Sequence, residues 1–383
     1  MGEVAADRDL SDVASWAFAA FALLSALAPR PDGPIAGEAK NLPATPMIIG
    51  MRSGDTHLDS TGRKTRAAVD RRVEIEMASI ALRYNLIESY HEAHRTENAQ
   101  HLQAFRARVR LDAKARASLH AAVFPGSRFG SGWNNTGWGT GDLGLRLYLK
   151  QFYLSARPAG GVEVEWGGLA VAYGESTEIT SYDYDGYLTG QRLGVSRPAV
   201  LFFDEVSVSL GYLGAGDDPG FFDRLHRLDD VNYGHFLVAK EVFGRARISV
   251  DYTRHAGVDT FRQAAHLETP AFVIVDAIRF ENYQRRGPDP GYGFNLYGQK
   301  KLHPRASLGA GFARIDRTLL NSDRFPRGER VYQNLLFIIN PELSVTVAFT
   351  RALGSGEAAL PRTRLDVALG VNLRKRFERV GSR

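Results

Sequence analysis

The feature that most restricts how this chain can fold is a period-two hydrophobic rhythm running from about residue 80 to 377. It is clearest near the end. Between Arg364 and Phe377 the odd positions are Leu365, Val367, Leu369, Val371, Leu373, Lys375 and Phe377. The even positions are Asp366, Ala368, Gly370, Asn372, Arg374 and Arg376. Successive strand side chains point to opposite faces, so this segment has one apolar face and one wet face. The same alternation sets Phe105, Ala107, Val109 and Leu111 against Arg106, Arg108, Arg110 and Asp112, and Leu343, Val345, Val347 and Phe349 against Ser344, Thr346, Ala348 and Thr350. A wall with oil on one side, water on the other and no unpaired edge is what a closed antiparallel barrel in a bilayer requires.

The connections carry a second rhythm. Strands are expected near 80–90, 101–112, 115–124, 143–156, 162–173, 187–195, 200–212, 234–243, 245–254, 260–268, 271–282, 292–302, 306–316, 331–340, 343–351 and 363–377, 16 in all. Short turns hold Pro or Gly, at Pro158–Gly161, Pro198, Gly244, Pro270, Pro304 and Pro341, residues that stop a strand and preset a turn. Long and short connections alternate, except that 255–259 is short where a long one is due. Two segments fit poorly: 331–340 is apolar on both faces, and 271–282 places Asp276 among Phe272, Ile274 and Ile278. The expected fold is all-β, a transmembrane antiparallel up-and-down β-barrel of about 16 strands with short periplasmic turns and long extracellular loops.

Composition narrows the choices. The absence of cysteine excludes disulfides and thiolate metal sites. No run reaches the length of a spanning helix. The one hydrophobic run, Val13–Ala28, suits an export signal over 1–30, although acidic residues precede it and the start site is doubtful. Residues 31–79 read as a polar periplasmic lead-in or plug, 80–377 as the barrel and 378–383 as a short tail. The net charge is +5, and its arginines are spread along strands rather than gathered in a stripe, which weighs against nucleic acid.

The repeated strand pairs, and a last strand ending in an aromatic after alternating apolar residues, resemble Gram-negative outer-membrane porins, most closely the alginate-export-like and substrate-specific group. The resemblance implies a location in outer-membrane lipid, passage of small hydrophilic solutes or sugars, no catalysis and no cofactor. It also implies that the barrel assembly machinery reads Phe377, although six residues follow it here.

Candidate pore-lining residues are Arg106, Arg108, Arg110, Arg116, Arg146, Glu163, Glu165, Arg245, Arg247 and Asp251. An arginine facing lipid would cost about 2–4 kcal/mol near the midplane, so these belong to the lumen. There they either form an anion path or pair with wall carboxylates, for which Glu163 and Glu165 are the expected partners of Arg106–Arg110. Trp133, Asn134, Asn135 and Trp138 form a glycine-rich mouth loop that either stacks sugars or folds into the rim. The loops 125–142, 174–186 and 213–233 are expected to constrict or cap the mouth.

No metal site is expected. His91 and His94 lack zinc spacing, and Ser181–Tyr187 lacks that of an EF-hand. A barrel enzyme, such as a lipid hydrolase or protease, is the alternative, with His120, His226, His235 or His266 as its candidates. A secreted, β-rich carbohydrate-binding protein is a third reading.

Overall fold

The computed structural model describes residues 72–89, 95–126, 132–172, 174–176, 187–196, 202–214, 218–269, 274–287, 290–316, 328–353 and 362–374. The expected export signal, most of the lead-in, His91, His94, the tip 181–186, Phe377 and the tail lie outside these residues.

In chain order the strands are β1 (Val73–Ser89), β2 (Arg95–Arg110), β3 (Ala117–Pro125), β4 (Asn134–Asn135), β5 (Leu147–Ala159), β6 (Val162–Ala170), β7 (Tyr187–Val195), β8 (Glu205–Tyr212), β9 (Tyr233–Val242), β10 (Ala246–His255), β11 (Val258–Glu268), β12 (Ala277–Arg286), β13 (Gly291–His303), β14 (Ala306–Ile315), β15 (Gly328–Ile338), β16 (Leu343–Ala352) and β17 (Arg362–Asn372). All pair antiparallel in one sheet, and β1 closes on β17 from Ser79↔Asn372 to Ser89↔Arg362. Since β4 is only two residues, sixteen staves make the wall. Closure leaves no exposed edge, which separates this fold from a sandwich.

The third stave is broken. β3 pairs with β2 up to Phe105↔Val123 and ends at Pro125; β4 takes over higher up, opposite Gln100 and His101. The Asn134 side chain bridges the gap, accepting from Gly126 N at 2.9 Å and donating to Arg146 O at 3.0 Å.

Outward positions carry the large exposed apolar side chains, among them Leu82, Phe105, Leu154, Trp166, Leu296 and Leu369. Inward positions carry buried polar groups such as Arg106, Gln151, Asp251, Arg262, Asn295 and Asp366. A globular domain is built the other way round, whereas a barrel in lipid with a polar lumen has this sense.

Several boundaries differ from expectation. β1 begins at Val73 rather than near 80, and β17 ends at Asn372. β12 starts only after Asp276, which lies in the turn, where Lys300 Nζ donates to it at 2.7 Å and the Lys301 amide at 2.7 Å. That removes the acidic residue from the apolar face that the sequence pattern gave it. The short connection at 255–259 is a two-residue turn, Ala256-Gly257, with φ of 49° and 82°. Positive φ at both positions matches the right-handed twist of the flanking strands.

Candidate functional site

The candidate site is the inner wall, and its largest polar cluster lies on β1–β3 and β5. Arg106, Arg108 and Arg110 share the inward face of β2, opposite Ala122, His120 and Ser118 of β3. A register shift between Ile75 and Met77 marks a bulge in β1, which brings Glu74 and Glu76 to the same arginines. Arg108 pairs with Glu74, and its Nε lies 3.7 Å from Glu76 Oε1; Arg110 Nη2 lies 3.6 Å from Glu74. Arg106 donates to Gln151 Oε1 at 3.2 Å.

The expected partners of these arginines were Glu163 and Glu165, and that pairing is corrected. Glu163 instead accepts from Ser155 at 2.6 Å and from Arg157 at 3.2 Å, and Glu165 pairs with Arg192 at 2.9 Å. The reason is reach. Glu165 is in register with Arg192 on β7, whereas β3 and β5 stand between β6 and β2.

A second cluster lies on β9–β11. The connection after β6 turns inward, and Glu175, nearly fully buried, meets Arg247 Nε at 2.9 Å. Its amide donates to Ser249 Oγ at 2.8 Å, and His266 Nδ1 lies 3.7 Å from its other oxygen. A Cβ on Gly174 (φ 50°) would come within 2.7 Å of Leu237 and Ser249, so the approach needs a residue without a side chain. Arg247 also reaches Glu205 at 2.5 Å. Asp251 lies between Arg262 at 3.1 Å and His235 at 3.4 Å, all three almost completely buried.

A third stretch was not singled out by the sequence. Inward Gly309, Gly311 and Ala313 of β14 leave a trough. Tyr297 of β13 and Tyr332 of β15 lie over it, their rings parallel to within 1° and 5.9 Å apart. Each phenol then crosses the trough, Tyr297 donating to Asn334 at 3.0 Å and Tyr332 to Asn295 at 2.7 Å. The signal was present as Gly-x-Gly in β14, but it says nothing about which strands flank it. Tyr332 and Leu336 also account for the apolar residues on the inward face of 331–340.

Three candidate pore-lining residues lie off the wall. Arg116 and Arg245 are exposed on short turns, and Arg146 is exposed at the foot of a long loop. Their strands stop one or more residues short of them. Arg106, Arg108, Arg110, Glu163, Glu165, Arg247 and Asp251 occupy inward positions.

The mouth loop does not bring its tryptophans together. Trp133 is inside, with the Arg83 guanidinium 4.2 Å above its ring. Trp138 lies on the outer face against Tyr84, ring centres 5.5 Å apart. Asn135 accepts from Gln100 at 3.1 Å, and Asn134 bridges the broken stave. Of the long connection 213–233, the described residues 218–230 lie outside: the 3-10 turn Phe222–Arg227, which carries His226, packs on the outer wall instead of capping the mouth.

No protein-family model and no curated protein matches this chain. Solved structures do. It is similar to Salmonella typhi OmpF in a complex with daunomycin, at 8% identity and a TM-score of 0.53, over 78% of this chain and 97% of that one. It is similar to Pseudomonas putida OprB at high pH, at 11% identity and a TM-score of 0.52, over 78% and 94%. Both are outer-membrane porins. At such identities the likeness establishes the fold: a closed, antiparallel, sixteen-stave barrel of the porin type.

Proposed function

We propose that this chain is an outer-membrane channel through which small hydrophilic solutes diffuse, with anionic solutes favoured. The supporting observation is the segregation of the wall, apolar outside and lined inside by charges, amides and hydroxyls. About sixteen strands is the size at which a barrel leaves an aqueous path rather than filling with its own side chains. Most wall arginines are paired, so the arginine ladder serves mainly as a lattice that stiffens the wall. The anion preference rests on the balance along β12–β15, where the inward charges include Arg279, Arg285 and Arg330 and one described carboxylate, Glu281. We place it among the alginate-export-like or substrate-specific porins on its repeated strand pairs and aromatic-ending last strand, and the cationic lining agrees with that placement.

Planar-bilayer recording of the refolded protein tests it. Stepwise ion current is expected, with a reversal potential on the anion side in a salt gradient. Absence of current at every voltage would reject the channel.

One constellation favours a second reading, a barrel enzyme. Ser118 Oγ lies 2.9 Å from His120 Nε2, and His120 Nδ1 lies 3.9 Å from Glu76. The second distance is too long for the hydrogen bond that would fix the imidazole as a base. Labelling of Ser118 by a fluorophosphonate, lost in His120→Ala, would favour the enzyme.

A further inference from the structure

The connection between β8 and β9 does something the channel does not need. After β8 it passes over the outer face of the barrel and lies against β5–β8. Three contacts fix it there. Phe221, 3% exposed, seats its ring where Gly168 of β6 has no side chain, since a Cβ there would lie 2.7 Å from the ring. Outward Tyr187 donates from its hydroxyl to the carbonyls of Asp218 and Gly220, at 3.0 and 2.9 Å. Arg224, 1% exposed, stacks on Tyr187 at 4.3 Å and Tyr212 at 5.1 Å and donates to Tyr212 O at 3.0 Å.

The strap so held leaves two large apolar side chains largely exposed, with the Phe222 ring 6.0 Å from that of outward Phe152. Phe222 is 63% exposed and Leu225 is 42% exposed. Below the strap on the same outer face lie exposed Leu154, Trp166 and Leu210, in one cross-strand row that also holds exposed Gln191, so the strap continues the largely apolar outer surface of the barrel. Its charged pair, Arg227 and Asp230 at 2.8 Å, is solvent-exposed. A short element with apolar residues turned outward and an ion pair in water fits the boundary between acyl chains and headgroups.

We infer that the strap 218–230 is an interfacial lipid anchor: Phe222 and Leu225 enter the bilayer and fix how deep this side of the barrel sits. The inference rests on the membrane-spanning reading. The occupant is lipid, because the strap is continuous with the lipid-facing wall.

The cysteine-free chain makes the test direct. Phe222→Cys, Leu225→Cys, Asp230→Cys and Trp166→Cys are each labelled with bimane and reconstituted in phosphatidylcholine vesicles with brominated acyl chains. Labels at 222 and 225 should be quenched by the bromolipid nearly as strongly as the wall label at 166. The label at 230 should be quenched instead by aqueous iodide. If 166 is quenched but 222 and 225 respond only to iodide, the anchor is wrong and the membrane barrel stands. If 166 also fails, the membrane reading itself fails. Bromolipid quenching at 166 without quenching at 222, together with disulfide-linked pairs of the unlabelled Phe222→Cys variant, would put a second copy of the chain on the strap and overturn the lipid assignment.

Discussion

Val347 and Ala348 are neighbours in the middle of β16 and point to opposite sides of the wall. Val347 is in register with outward Leu335 and Val367; Ala348 is in register with inward Asn334 and Asp366. Arginine at 347 would place a guanidinium among hydrocarbon near the midplane, at a cost of about 2–4 kcal/mol. That lowers the folded-to-unfolded ratio by about 30- to 700-fold, at about 1.4 kcal/mol per decade. Arginine at 348 meets the Asp366 carboxylate and the Asn334 amide instead. That carboxylate is buried and already pairs with Arg364 at 2.9 Å, so the added guanidinium shares it; its desolvation is partly offset there, and a net cost of about 1 kcal/mol, below that at 347, is expected. Urea titration in lipid vesicles, followed by Trp emission and by heat-modifiable migration on a gel, measures both. Ala348→Arg should fold nearly as well as the parent and should lower conductance, because the added side chain occupies the lumen. If Val347→Arg were tolerated, or if Ala348→Arg were the more damaging of the two, the assignment of faces would be refuted.

Three further outcomes follow from the same geometry. Glu175→Gln removes the charge that meets Arg247 but leaves Arg247 paired with Glu205, so about 1–2 kcal/mol of the inward attachment is lost, and open-channel noise should rise in single-channel records. Gly311→Val would bring a Cβ within 2.7 Å of Leu296 O and into the Tyr332 ring, destabilising the barrel by about 1–3 kcal/mol in the same urea assay. Asp276 is held below the ordinary aspartate range by the Lys300 ammonium and the Lys301 amide. Its folded value is depressed, so its contribution is present above the unfolded aspartate pKa and is lost as pH falls through the folded value. In Lys300→Met the NMR titration of Asp276 should move up toward the usual range, and an unmoved midpoint would assign the shift to the backbone amide.

Much of the wall was legible in the chain because the information is local. A period of two in Arg364–Asn372 or Leu343–Ala352 states which side chains share a face, whatever lies next to the strand. Turn residues such as Gly244 and Pro304 mark where strands stop. The same local evidence put Arg106, Arg108, Arg110, Arg247 and Asp251 on one face of their strands, and that face is the inward one. It erred where end effects decide: Arg116, Arg146 and Arg245 lie just past strand ends, and Asp276 ends a turn rather than joining a strand.

Which groups meet depended on the tertiary structure. Sequence distance says nothing of the bulge at Glu76 that turns two carboxylates toward the β2 arginines, nor of strand order, which gives Glu165 to Arg192. The two tryptophans of the mouth loop stand on opposite sides of the wall, because Trp133 adjoins β4 on its inward side beside Arg83 whereas the turn after β4 lays Trp138 against outward Tyr84. The strap on the outer face is the same kind of fact. A glycine notch on β6, a tyrosine on β7 and an arginine beyond β8 cooperate only after the sheet has closed, when hydrogen-bond register fixes their separation. Side-chain direction is a property of one strand and can be read from its residues; partnership belongs to the assembled barrel.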